Sequence, residues 1–368
     1  MNPKNDWLQA LRALAALAVL FFHMAPHWAL SPHLAPAQAW MHWGFSGVDV
    51  FFVLSGFVVY QTADKPGYSA RRFLLRRGLR IYLGYWPVLL LTAALAWAAS
   101  AWAASAWAAS AWPPLGKAVR SALLLSPSLF DNWVPTAWSL TYELYFYLWI
   151  ALVFLFAPRW RASAMLAAFT ALLLWNAAWY FWRYPTVQAG LQPARFALTG
   201  LGLEFLAGAL WAHLRKRHAC LHAAAYAKWL ALAGACCIVY GLGMGSQSPM
   251  YDRIEFMRAA TFGVAGFGFL LVALAFSDWQ WRAPRPLVAL GDASYALYLL
   301  HPLLLDRSSH LRVRLPAGSL LALDAFLLAL PVAISAISLL WFRWIEWPLF
   351  NRAAASGWAR RLTGHPAR

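Results

Sequence analysis

The sequence predicts an all-α protein, a polytopic bundle of about ten helices that cross a membrane. Three observations carry that reading. Apolar residues make up 62% of the 368-residue chain and charged residues only 12%, against about 25% charged in an average soluble domain. The apolar residues gather in runs of roughly 20, the length a helix needs to cross a ~30 Å hydrocarbon core. The charge gathers mainly in the breaks between runs, and it is mostly positive, with 30 Lys and Arg against 13 Asp and Glu.

On that ~20-residue length, spans are predicted at about 8–29, 44–62, 79–100, 137–157, 162–182, 196–214, 228–245, 258–277, 287–305 and 319–341. The first run, with Lys4 as a basic flank, also fits a signal segment. Arg12 inside the run, and a remainder that is equally apolar, favour an uncleaved span. Between spans two and three lies the densest basic block, Lys65, Arg71, Arg72, Arg76, Arg77 and Arg80. The next is Arg215, Lys216, Arg217 and Lys228. With the N-terminus inside, both blocks and most other basic residues fall on the cytoplasmic side, which sets both termini there.

The longest break, 101–136, holds Pro113, Pro114, Pro127 and Pro135 and so is not one continuous helix. Ahead of it Trp97, Trp102 and Trp107 open a five-residue repeat, with Trp112 following. A period of five turns each Trp by ~140°, so no helical face collects them. Low-complexity drift with Trp near the membrane interface and a sugar-stacking platform both fit. Gly241 and Gly245 in span seven, and Gly263, Gly266 and Gly268 in span eight, read as sites of close helix packing.

The expected organisation is one transmembrane domain over 1–345 and a short basic cytoplasmic tail over 346–368, with no fused extracytoplasmic domain. The net charge of +17 needs no nucleic acid as partner, because a basic face toward anionic lipid or a phosphorylated ligand accounts for it. Cys220, Cys236 and Cys237 have neither metal nor redox spacing and read as packing residues.

Ionisable residues inside a bilayer are costly, which makes each a functional candidate. Here they are Arg12, His23, Asp49, Glu143, Glu204, His301 (with Ser294 on its helix) and, near the inner end, Glu346. Arg12 and His23 are eleven residues apart, which advances a helix ~16 Å and turns it three times plus ~20°, so both lie on one face. Two readings fit: a ligand channel with a cation at its mouth and a base deep inside, or a snorkelling Arg and a satisfied core His. Counting ~1.5 Å per residue, His23 lies ~22 Å and His301 ~21 Å from the inner face, and Asp49 and Glu143 lie ~7 and ~9 Å in from outside. That puts all four in one layer. Ser294, Tyr298 and His301, spaced i, i+4, i+7, share a helical face.

A neutral His can take a proton from a hydroxyl while a carboxylate orients it, which is the equipment for acyl transfer to an alcohol. No Gly-x-Ser-x-Gly elbow supports a Ser nucleophile. His23 and His27 have the i, i+4 spacing of metal ligands, but Pro26 between them disturbs the helix and no further ligand set is evident, so no metal is expected.

At these residues the sequence resembles the membrane acyltransferase-3 family, integral membrane O-acyltransferases of carbohydrates. Leu11-Arg12-Ala13-Leu14 through His23 resembles the family's opening segment. Gly47-Val48-Asp49-Val50-Phe51-Phe52-Val53-Leu54-Ser55-Gly56-Phe57 resembles its most recognisable stretch. The basic run Arg71 to Tyr82, Trp138-Ser139-Leu140 through Glu143, Ser294-Tyr295 through His301-Pro302, and Glu346-Trp347-Pro348 follow in the family's order. Gly84 stands in a segment, Leu83-Gly84-Tyr85, where many members have a Pro. Glu204 maps to no family motif and reads as structural.

The resemblance implies a multi-pass protein of the bacterial inner membrane with acetyl-CoA or another acyl-CoA as donor. Its partners would be that donor, a carbohydrate acceptor, membrane lipid and glycan-assembly proteins. His23 and Arg12 would be essential: His23 as base with Glu143 or Asp49 orienting it, and Arg12 with Arg76, Arg77 and Arg80 on the CoA phosphates. Ser55, Ser294, Tyr298 and His301 would support the site. A transporter or flippase of a glycan precursor also has many spans and intramembrane charges. So would a catalytically idle homologue that binds glycan. The ordered motifs favour the enzyme.

Overall fold

The structure, a computed structural model, describes residues 5–102, 114–126, 132–183, 196–245, 255–316 and 318–355. Among these residues every regular element is helical, as lipid demands of backbone that must satisfy its own polar groups. In chain order the main helices are α1 (Asp6–Trp28), α2 (Gly47–Ala63), α3 (Ala70–Trp102), α4 (Leu115–Ala122), α5 (Trp138–Val153), α6 (Arg161–Arg183), α7 (Leu201–Arg217), α8 (Ala224–Gly245), α9 (Val264–Asp278), α10 (Arg285–Asp292), α11 (Ser294–Arg312), α12 (Leu320–Trp341) and α13 (Trp347–Ala355). Trp107 and Trp112 of the repeat, Pro113 and Pro127, and the basic residues Arg360, Arg361 and Arg368 lie outside the described residues.

Seven helical stretches among the described residues are long and apolar enough to cross a bilayer, eight if α10 and α11 form one broken span. This is fewer than the ten runs in the sequence. The difference lies in α5 and α7, with 16 and 17 residues. At 1.5 Å per residue they measure ~24 and ~26 Å, short of a ~30 Å core. The chain therefore stands as a multi-pass helical membrane protein. Pro26, Pro87, Pro302 and Pro331 all sit inside helices. α1 runs through Pro26 to Trp28, so the expected disturbance there does not end the helix; the ring forfeits one intrahelical bond, the one its N–H would have donated to the Phe22 carbonyl. Toward the other end a π-helical turn, Phe342–Glu346, carries α12 into α13.

The chain folds as two compact units. The first comprises residues 1–22, 39–70 and 146–292. α2 is buried over most of its surface, Val48, Phe52, Val53 and Phe57 included, and one stripe, Phe51, Ser55 and Val58, is half-buried. It packs on α7 through reciprocal glycines: a Cβ on Gly56 would overlap the carbonyl of Phe205, and one on Gly208 that of Val53. Of the glycines predicted to mark close packing, Gly241, Gly263, Gly266 and Gly268 do so here. Gly241 lies over the Thr261 carbonyl, Gly268 over that of Gly234, Gly266 on the Asp49 backbone and Gly263 on the Glu204 side chain.

One end of this unit is tied by ion pairs. Arg161 and Lys216 bond the two oxygens of Asp64 at 3.1 and 2.6 Å, and Arg217 donates to Pro158 O at 3.0 Å. Arg215, buried, donates to both oxygens of Asp278 at 2.7 and 2.9 Å. Asn5 reaches Ser277 at 2.9 Å and the Trp7 indole the Trp281 carbonyl at 2.7 Å. The N-terminus of α1 and the α2–α3, α5–α6, α7–α8 and α9–α10 breaks thus share one end.

The second unit comprises residues 23–38, 71–145 and 293–368. Here three aromatic donors of α3 serve the carbonyls at the C-terminal end of α4. Tyr85 donates to Ser121 O, Trp86 to Ala122 O and Tyr82 to Leu123 O, at 2.9, 3.0 and 2.9 Å. A helix end leaves its last carbonyls without intrahelical donors, and the aromatic residues of α3 supply them. Among the described residues of the break predicted for 101–136, α4 starts after Pro114 at its N-cap. Gly84 finds its reason in α11: a side chain there would run into the Tyr295 ring, whose hydroxyl donates to Ile81 O at 2.8 Å. α12 leaves Leu321, Leu328 and Val332 exposed, an apolar face suited to lipid.

Candidate active site

Within the second unit, the last turns of α1 carry His23 and the middle of α11 carries His301. His301 Nε2 stands 3.2 Å from His23 Nδ1, with ring centroids 4.8 Å apart. His301 is completely buried and His23 only partly. The other nitrogen of His301, Nδ1, lies 3.1 Å from the carbonyl of Leu297, one turn back on α11. A carbonyl only accepts, so Nδ1 is the protonated nitrogen of His301. In the neutral ring Nε2 must then accept, and the hydrogen in the histidine pair belongs to His23 Nδ1. His23 Nε2 is left as the nitrogen that carries the lone pair.

Hydroxyls flank the pair. Tyr298, one turn before His301 with rings 6.1 Å apart, meets Ser139 Oγ through its OH at 2.9 Å. Ser139 Oγ in turn lies 3.2 Å from Thr136 O, to which it donates, so the Tyr298 hydroxyl donates to Ser139. Ser294, Tyr298 and His301 are all buried on the shared face that their spacing predicts. Glu143 sits one turn beyond Ser139 on the same side of α5 and is partly buried. Three predicted residues, His23, Tyr298 and His301, are therefore gathered, with Ser294 beside them on α11. Ser139, quoted only as part of a motif, proves to be the link between α5 and α11; its i, i+4 relation to Glu143 was the available signal.

Of the remaining predicted residues, Asp49, Ser55 and Arg12 belong to the first unit and Arg76, Arg77 and Arg80 to the second. Asp49, in the first unit, is fully buried at the start of α2, and both of its oxygens are engaged by Arg258, by Nε at 2.7 Å and by Nη2 at 3.0 Å. The Arg258 guanidinium also lies 5.5 Å from the Phe45 ring centroid. Sequence reasoning missed Arg258, which stands at the very edge of a predicted span and reads as a flanking charge; the demand of a buried carboxylate for a cation could have singled it out. Ser55 is partly buried on α2 beside Gly56, and Arg12 is partly buried on α1. On the first turns of α3, Arg76 and Arg80 are exposed and Arg77 lies 6.0 Å from the Phe73 ring centroid. Glu204 is buried on α7, lining an apolar cavity of about 290 Å³ with Phe169, Phe256 and Phe267.

This multi-helix membrane chain sets a part-buried histidine pair beside hydroxyls, groups that can accept and donate protons. Comparison with known proteins gives the class a family. The acyltransferase-3 family model, described as an acyltransferase domain, matches residues 5–349, and the chain belongs to that family. It is similar to the exopolysaccharide production protein ExoZ of Rhizobium meliloti (strain 1021), 26% identical over 332 residues that cover 87% of this chain and 92% of that protein. It is also similar to the peptidoglycan O-acetyltransferase OatA of Listeria monocytogenes serovar 1/2a, 23% identical over 333 residues that cover 80% of this chain and 48% of that protein. No solved structure matches the chain significantly.

Proposed function

We propose that this acyltransferase moves an acyl group, acetyl in the simplest case, from acyl-CoA to a hydroxyl of a cell-surface or exported glycan, or of its lipid-linked precursor, in the bacterial inner membrane. The observation that carries the proposal is the geometry at His23, a partly accessible imidazole whose Nδ1 is engaged by His301 so that Nε2 can accept a proton. The relatives support the acceptor class, since one is named for exopolysaccharide production and the other for peptidoglycan O-acetylation.

In the reaction, His23 Nε2 takes the proton of the acceptor hydroxyl as its oxygen attacks the thioester carbon. The carbon–sulfur bond breaks, and the proton leaves with the thiolate as free CoA thiol. Arg76, Arg77 and Arg80 would hold the CoA phosphates, with Arg12 three turns from His23 along α1. Of the two carboxylates predicted to orient His23, Glu143 lies on the α5 face that carries Ser139, in the unit that holds His23. Asp49 is assigned to its ion pair with Arg258.

The same proposal includes ten spans with both termini cytoplasmic. The ion pairs at Asp64 and Asp278 support it. Between Asp64 and Arg161 the chain runs through α3 and α5, and between Arg161 and Lys216 through α6 and α7. A return to the same end requires the short helices α5 and α7 to cross as well. The basic residues gathered at that end support its assignment to the cytoplasmic side.

Turnover of acetyl-CoA by purified protein in nanodiscs, with a glycan acceptor, tests the reading. Replacement of His23 by Gln should lower transfer by about 10²–10⁴-fold while acetyl-CoA still binds and thermal stability holds. Wild-type turnover in that variant would sink the base assignment. Absence of any turnover by the wild-type protein, with glycan movement across the bilayer instead, would favour a flippase.

A further inference from the structure

The sequence treats His301 as one supporting residue among four and looks to a carboxylate to orient His23. The structure assigns that task differently. We propose that His301 is the positioning residue of the acyl-transfer site: its Nε2 accepts the Nδ1–H of His23 and so fixes the ring and the tautomer that present Nε2 to the acceptor hydroxyl. The inference rests on the reading of His23 as base.

Three observations support it. First, with both rings neutral, one consistent set of hydrogen-bond directions runs along the chain of groups. Leu297 O accepts from His301 Nδ1, which leaves His301 Nε2 to accept from His23 Nδ1. Second, the orienting ring is itself held. His301 is completely buried, and the Tyr298–Ser139 hydrogen bond pins α11 to α5 one turn away. Third, a neutral orienting group suits the surroundings. Elsewhere a carboxylate holds the tautomer of a catalytic His and stabilises the imidazolium that forms. In an apolar interior a carboxylate needs its own counter-cation, as Asp49 shows with Arg258. A second imidazole offers the acceptor without the charge. When His23 takes the hydroxyl proton, its Nδ1–H stays donated to His301, and no proton passes through the pair.

A plain packing role would also fill the site with a ring and satisfy Leu297 O. Two substitutions separate the roles. Asn at 301 can reach the position of Nδ1 and keep the Leu297 bond, but not the position of Nε2. Gln extends to Nε2 and can accept from His23. The proposal expects His301→Asn to lower kcat by about tenfold to a thousandfold, up to the ~10²–10⁴-fold that a positioned base contributes. KM for acetyl-CoA should stay unchanged. His301→Gln should restore most of the rate. Equal kcat in the two variants, or wild-type kcat in His301→Asn, would overturn the proposal in favour of packing. A measurement on the wild-type chain needs no variant at 301: in protein with ¹⁵N-labelled histidine, the His23 signal, identified by its loss in His23→Gln, should show hydrogen on Nδ1. Hydrogen on Nε2 instead would overturn the proposal. An active His23→Gln would refute the base reading itself, a result distinct from all of these.

Discussion

The buried pair of Asp49 and Arg258 offers the sharpest test of which carboxylates belong to the chemistry. Asp49 has no exposed surface, and both of its oxygens lie within 3.0 Å of guanidinium nitrogens. Replacing Arg258 by Met keeps the bulk and removes the charge, which leaves a carboxylate buried without its counter-ion. Breaking one side of such a pair costs about 3–5 kcal/mol. Removing both charges together, as Asp49→Asn with Arg258→Met, should return most of that stability, because a desolvated pair roughly balances its own attraction. The assay is thermal unfolding of the purified protein in nanodiscs, with acetyl transfer measured on the same samples. Arg258→Met should melt well below the wild type. The double variant should melt near it and retain turnover within about tenfold, since uncharged partners can still fill the site. An Arg258→Met protein as stable as wild type would refute the energetic argument. A double variant that is stable but inactive would return Asp49 to the catalytic site.

Two further outcomes are expected. With Cys220, Cys236 and Cys237 replaced by Ser, a Cys introduced at Gln61 should react with a membrane-impermeant thiol reagent only from the cytoplasmic side, and one at the exposed Leu115 only from outside; labelling at Gln61 from outside would invert the topology. Replacing Arg76, Arg77 and Arg80 together by Gln should weaken acetyl-CoA binding by about tenfold, and wild-type binding should weaken as salt rises and screens exposed charges; unchanged affinity in the triple variant would remove these residues from the donor site.

The sequence alone determined the class of architecture, because a bilayer accepts few solutions: apolar runs of ~20 residues become helices, and their backbone must bond internally. It also marked the helix contacts at Gly241, Gly263, Gly266 and Gly268, since a missing side chain is itself the signal for close approach. The shared face of Ser294, Tyr298 and His301 followed from 3.6-residue periodicity. Each of these is local to one helix or one segment. Contacts between helices are not. Periodicity places His23 and His301 on faces but does not say that the two faces meet, and 278 positions separate them. Nor does it pair Asp49 with Arg258 over 209 positions, or explain why Gly84 must lack a side chain until Tyr295 arrives from α11. Carboxylate, arginine and imidazole are each compatible with several partners in the sequence. The partner is chosen by which helices pack together, and that choice rests on the summed fit of whole faces, so only the tertiary structure could make it.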